Sequence, residues 1–161
     1  MVDIIFGTAK IASLLGSSAS LTTDLLVKTV SYTASNIYYL VSNLSSSPKI
    51  TGIKELEQLE KELDLLETIK IYESWIVELG TKKKELIESS NTIKISIESI
   101  HNALEDLHQI LKQIEARVER HHKKWFNNWR TQDFTKEINE LKLKKKILDN
   151  RFSILQQVKI E

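Results

Sequence analysis

Between residues 86 and 125 one pattern runs without interruption. Leu86, Ser90, Ile93, Ile97, Ile100, Leu104, Leu107, Leu111, Ile114, Val118, His121 and Trp125 follow one another at alternating steps of four and three. A half-buried strand would alternate with period two. This spacing brings side chains to one face only on an α-helix, and over five heptads it is coiled-coil patterning. At 1.5 Å per residue a helix over 82–126 would be about 67 Å long. A rod of that length with one apolar seam must be covered by other helices.

The rest of the chain supplies candidates for the cover. Phe134, Ile138, Leu141, Leu148, Phe152 and Leu155 share one face of a helix predicted over 133–160. Asn127-Asn128 and Thr131-Gln132-Asp133 form the reversal before it, with Thr131 or Asp133 as N-cap. An antiparallel pair closed there would set Phe134 near Trp125, Leu141 near Val118, Leu148 near Leu111 and Leu155 near Leu104. Upstream, Leu56, Leu59, Leu63, Leu66, Ile69, Tyr72, Ile76 and Leu79 predict a helix over 53–79, with a slip of phase between 66 and 69. Gly80-Thr81 reads as a C′ glycine followed by an N-cap, hence a tight helical hairpin; the alternative is a glycine inside one continuous helix, at about 1 kcal/mol relative to alanine.

The first 47 residues differ in character. Their only charges are Asp3, Lys10, Asp24 and Lys28, and Asp3, Lys10, Ser17, Asp24 and Ser31 lie on one stripe at heptad spacing. Ile5, Ala9, Ala12, Gly16 and Ala19, continuing to Leu26, Val30, Ile37 and Leu44, line another. Such a narrow polar face predicts a helix over 3–44 that is largely buried, against the same chain, a second copy or a membrane surface, with a possible break near 16–20. The Ser-rich run ending in Pro48 predicts a linker at 45–52. The chain therefore divides into a charge-poor N-terminal segment, 1–47, suited to docking or oligomerisation, and a coiled-coil-like bundle, 53–161. The fold class is all-α: an elongated antiparallel bundle of about four helices. One Pro and four Gly in 161 residues leave little turn chemistry for a β-protein.

The same residues narrow the function. No Cys is present, which removes disulfides, thiolate metal sites and thiol nucleophiles. The net charge of +1 gives no global attraction to nucleic acid or anionic lipid, so any such binding must be local. No secretory signal is visible, and the longest uncharged run, 29–48, is too rich in Ser, Thr and Asn to span a bilayer. A secreted or transmembrane protein is not expected. Glycine-rich phosphate loops, Gly-x-Ser-x-Gly and His-Glu-x-x-His are missing, so an enzyme, a cofactor and a small-molecule substrate are not expected either. Glu98-x-x-His101 and Glu105-x-x-His108 have the spacing of carboxylate-bridged di-metal sites, which need the motif on two facing helices. Both copies lie on one helix, and they read as solvated charge on its flank, with no metal bound.

One cluster has interaction chemistry. Arg117, Arg120, His121, His122, Lys123 and Lys124 lead into Trp125, Phe126, Trp129 and Arg130. Basic groups interleaved with aromatic rings can hold single-stranded nucleic acid by phosphate contact and base stacking, or sit at an anionic membrane surface. The competing readings are that the rings cap the core where two helices reverse, which is preferred, and that the segment docks a protein partner.

The strings Leu65-Leu66-Glu67-Thr68-Ile69-Lys70-Ile71-Tyr72-Glu73-Ser74-Trp75-Ile76, His121-His122-Lys123-Lys124-Trp125-Phe126-Asn127-Asn128-Trp129-Arg130 and Ile147-Leu148-Asp149-Asn150-Arg151-Phe152 resemble parts of an uncharacterised helical protein family of nucleocytoplasmic large DNA viruses. The resemblance covers roughly residues 55–158. It implies a virion or viral-factory component, such as a minor capsid or capsid-associated protein, located in the virion or the host cytoplasm; without the resemblance the expectation is cytoplasmic. The expected function is structural: scaffolding or tethering by helix–helix contact, through self-association or within a larger assembly. The alternative is nucleic-acid or anionic membrane-surface binding through 117–130, and a third possibility is peripheral membrane contact by 3–44.

Overall fold

In a computed structural model the described residues are 22–47, 54–57, 59, 63–123 and 133–158, with backbone alone at 54, 55 and 123. They form helices α1 (Thr23–Ser46), α2 (Lys54–Glu57), α3 (Leu65–Lys82), α4 (Lys84–Ser89), α5 (Asn91–Lys123) and α6 (Thr135–Gln157). No strand occurs among the described residues. The fold is all-α, as the periodicities predict.

Each long helix begins or ends for a local chemical reason. Thr22 is the N-cap of α1, its hydroxyl accepting the Leu25 N–H at 3.2 Å. The helix runs to Ser46, two residues into the predicted linker, with Ser47 extended as its C-cap; residues 48–52 of that linker and the predicted helix before residue 22 lie outside the described residues. At the start of α6 the Asp133 carboxylate accepts the Thr135 N–H at 2.9 Å, and hydrogen bonding to the Thr135 side chain, then to its backbone, holds the Asp133 pKa below the ordinary carboxylate value.

The predicted helix over 53–79 is broken at Asp64. This residue adopts a left-handed conformation, φ 46° and ψ 41°, which Asp tolerates better than most side chains. Leu56, Leu59 and Leu63 are buried before the break and Leu65 and Ile69 after it, while Leu66 is only partly covered. The phase slip thus falls two residues earlier than the sequence suggests, and it is a turn of backbone rather than a drift of the seam.

The predicted hairpin at Gly80-Thr81 is also corrected. α3 continues through both residues to Lys82, and the chain reverses over two breaks, at Lys83 and Ser90, that enclose the six-residue α4. Gly80 serves packing instead: a Cβ there would stand 2.6 Å from Val27 Cγ2, so its absence lets α1 and α3 close. Ser90, read as a seam position, ends α4 in an extended conformation, and its hydroxyl accepts the Ile93 N–H at 3.4 Å. Ile87 is buried in place of Leu86.

Four helices surround one core. α1 and α3 are antiparallel, since Val27 meets Gly80 while Lys84 reaches Asp24 at 3.2 Å. α3 and α6 run parallel: Tyr72 donates to Asp149 and stacks on Phe152, and Trp75 sets its edge against the same ring. α5 is antiparallel to α6 and therefore parallel to α1. Every seam residue from Ile93 to Val118 is buried, as are all six residues predicted for the face of α6. Leu26, Val30, Ile37 and Leu44 of α1 join the same core.

The pairing of α5 with α6 differs from expectation by about one heptad. Lys144 reaches Asp106, Arg151 donates to the Ser99 carbonyl, and Arg117 lies over the Phe134 ring. These contacts set Leu148 level with Leu104 and Leu141 level with Leu111, rather than Leu148 with Leu111 and Leu141 with Val118. Leu155 likewise falls near Ile97, not Leu104. A shift of seven residues leaves a heptad seam unchanged, so hydrophobic pattern cannot distinguish the two registers.

Candidate functional site

Two groups of polar residues stand out on α5, one at its centre and one at its C-terminal end. The central group was not anticipated. His101 and His108 are 3% and 1% exposed, so the reading of both as solvated flank charge is overturned. They belong to the flank of α5 that faces α1, at i and i+7, with Glu105 between them. A seam of two positions per heptad suffices for a two-stranded coil, whereas a bundle helix touching two neighbours needs a broader covered face. That breadth was the missed signal: residues 101, 105 and 108 all lie beside the seam.

Among the described residues the Thr33 hydroxyl ties the cluster to α1. Thr33 Oγ1 donates to Glu105 Oε1 at 3.0 Å, and His101 Nε2 lies 3.1 Å from the same oxygen. Because the hydroxyl proton goes to the carboxylate, the ring donates through Nε2–H, and with burial favouring the neutral ring its one proton sits on Nε2. The other carboxylate oxygen is 4.0 Å from His108 Nδ1, and this buried nitrogen has no hydrogen-bond partner. Burial pushes both imidazoles below the ordinary 6.5, with the Glu105 charge opposing it and Lys112 adding to it at His108. Among the described residues no set of three or more His, Asp or Glu side chains is arranged to hold a metal ion.

At the end of α5 five of the residues that the sequence groups are described. Arg117 is turned back onto its own chain: it pairs with Glu137, donates to the Asp133 carbonyl at 3.0 Å, and stands 4.4 Å above the Phe134 ring. Arg120 is exposed and bonds the Ala116 carbonyl at 3.4 Å. His121 is half-buried and His122 exposed; Lys123 ends the helix. Lys124, Trp125, Phe126, Trp129 and Arg130 lie outside the described residues.

The outer surface carries a further feature. Leu25, Tyr32 and Tyr39 recur every seven residues on the solvent side of α1 and are 37%, 47% and 69% exposed. No charged residue occurs between positions 29 and 48. Behind them Tyr38 leans toward α3, in a groove lined by Lys70, Glu73, Ser74 and Val77. Its hydroxyl is buried without a partner, and burial together with Glu73 and Glu67 pushes its pKa up to about 12.

Comparison with known proteins gives one informative likeness. Over 133 residues the chain is 24% identical to the uncharacterized protein L717 of Acanthamoeba polyphaga mimivirus, covering 79% of this chain and 64% of that protein. The chain thus resembles a giant-virus protein and spans less than two thirds of its length. No protein-family model and no solved structure matches it. No helix among the described residues is long and apolar enough to cross a membrane.

Proposed function

We propose that this chain is a non-enzymatic structural protein of a giant virus, acting by helix–helix contact as a scaffold or capsid-associated component. The observation that carries the reading is the outer face of α1. Leu25, Tyr32 and Tyr39 form a heptad-spaced stripe, uncharged beyond Lys28, on a helix whose opposite face is already committed to the core. Tyrosines offer large amphipathic contact area at low entropic cost, which suits them to interfaces. The mimivirus likeness supports the viral setting.

Light scattering on the full chain tests this. The expected mass exceeds the 18.6 kDa of one chain and rises with concentration, and Tyr32→Glu with Tyr39→Glu returns it to that of a monomer. A wild-type chain that stays monomeric and is missing from purified virus particles would reject the proposal. The alternative, nucleic-acid or anionic-surface binding by 117–130, keeps the exposed Arg120 and His122 at the end of α5. It predicts affinity that collapses with added salt as counterions compete for phosphate.

A further inference from the structure

We propose that the His101–Glu105–His108 cluster is an acid-sensitive latch that fastens α1 to α5 at neutral pH and loosens it under mild acid. The geometry supplies the reason. Two imidazoles and one carboxylate are enclosed at the α1–α5 seam, and the carboxylate is only 14% exposed. With both rings neutral, Glu105 is served by the Thr33 hydroxyl, and His101 completes the chain by donating to the same oxygen.

Two protons overload the site. Glu105 stands 3.8 Å from His101 Nε2 and 4.0 Å from His108 Nδ1, so a single carboxylate would face two imidazolium ions and the cluster would hold a net positive charge away from water. Drawing Glu105 toward His108 also weakens its bond to Thr33, the hydroxyl that joins the cluster to α1.

Among the described residues the neighbouring charges do not remove this excess. On α5, Glu105 acts on both rings and Lys112 acts on His108 in the unfavourable sense. α1 contributes Thr33 and no charged side chain between 29 and its end. From α3, Glu67 and Glu73 act on Tyr38, whose groove Lys70 also lines. From α6, Asp149 is taken by Tyr72 of α3 and by Lys145, while Lys144 is taken by Asp106 and Arg151 by the Ser99 carbonyl on the opposite flank of α5.

The direction with pH follows from linkage. Both histidines have a lower pKa folded than their ordinary 6.5, so the folded chain holds fewer protons than the unfolded one. Stability is full above about 6.5 and falls as pH drops from there through the lowered folded values. The loss should be local. The latch adds to the apolar packing of α1, while the polar ties of α6 to α5 lie on the other flank.

Amide hydrogen exchange on the full chain, at about pH 7.5 and about pH 5 and corrected for intrinsic rates, reads the outcome. Peptides within 23–46 are expected to exchange about tenfold faster in acid, with those within 135–157 changing much less. The double variant His101→Gln, His108→Gln should abolish the difference. Equal acceleration in both helices, no acceleration, or an acid response that persists in the variant would overturn the proposal. Should the variant fail to fold, imidazole titration by NMR in the wild-type chain decides. Rings 101 and 108 must take up protons over the same pH range in which α1 loses protection, and protonation without that loss rejects the latch.

Discussion

The two flanks of α5 solve one problem by opposite chemistry. Toward α6 the polar contacts are charged and at least partly in water: Lys144 with Asp106, Arg117 with Glu137, Arg151 with the Ser99 carbonyl. Toward α1 they are buried and largely uncharged: two neutral imidazoles and a threonine hydroxyl around one carboxylate. Between the flanks runs the same apolar seam, which supplies most of the stabilisation of either side. Charged groups near water withstand small changes of pH but contribute little each. Buried neutral groups define a fixed geometry and hold it only while they stay neutral.

This contrast can be broken in measured steps. Leu104, 1% exposed in the shared seam, should show the largest effect: Leu104→Ala is expected to lose about 2–5 kcal/mol, read from urea unfolding, and to loosen both flanks together. A loss confined to one flank would show that the seam is not shared. Arg117→Ala comes next, at about 1–3 kcal/mol, because it removes a half-buried ion pair and a cation–π contact and leaves Glu137 enclosed. Hydrogen exchange should place that loss at the start of α6. Thr33→Val is expected to lose about 1 kcal/mol by leaving Glu105 and His101 without their shared oxygen. Its effect should appear in α1, the opposite side from Arg117→Ala. Lys144→Ala should be smallest, under about 1 kcal/mol, since Lys144 is 34% and Asp106 50% exposed. A change above that value in thermal unfolding would mean this flank depends on its surface charges more than their exposure allows.

The sequence is explicit about faces and silent about register. Ile93 through Val118, the α1 residues Leu26, Val30, Ile37 and Leu44, and the whole apolar face of α6 are all where their spacing puts them. Burial is decided by periodicity within one helix, and periodicity is visible in a string of letters. Which level of α6 meets which level of α5 is decided by pins such as Arg117 and Arg151, and a seam that repeats every seven residues has no preference of its own. The histidines were misread for a related reason. A narrow seam leaves positions 101 and 108 in water, and only a second neighbour, α1, brings them inside. Within 117–130, Arg117 finds its partners, Asp133, Phe134 and Glu137, at the start of the next helix, which the spacing of 117–130 alone does not reveal.

Asp64 has a consequence for how this bundle can change length. Leu63 and Leu65 would point nearly opposite ways on one uninterrupted helix, yet both are buried. The left-handed residue between them acts as a swivel that re-aims everything downstream. Adding or deleting a residue beside it alters an angle already set by the joint, whereas the same edit within α5 would rotate half of its seam toward solvent. Insertions and deletions should therefore be tolerated around position 64 and rejected between 93 and 118.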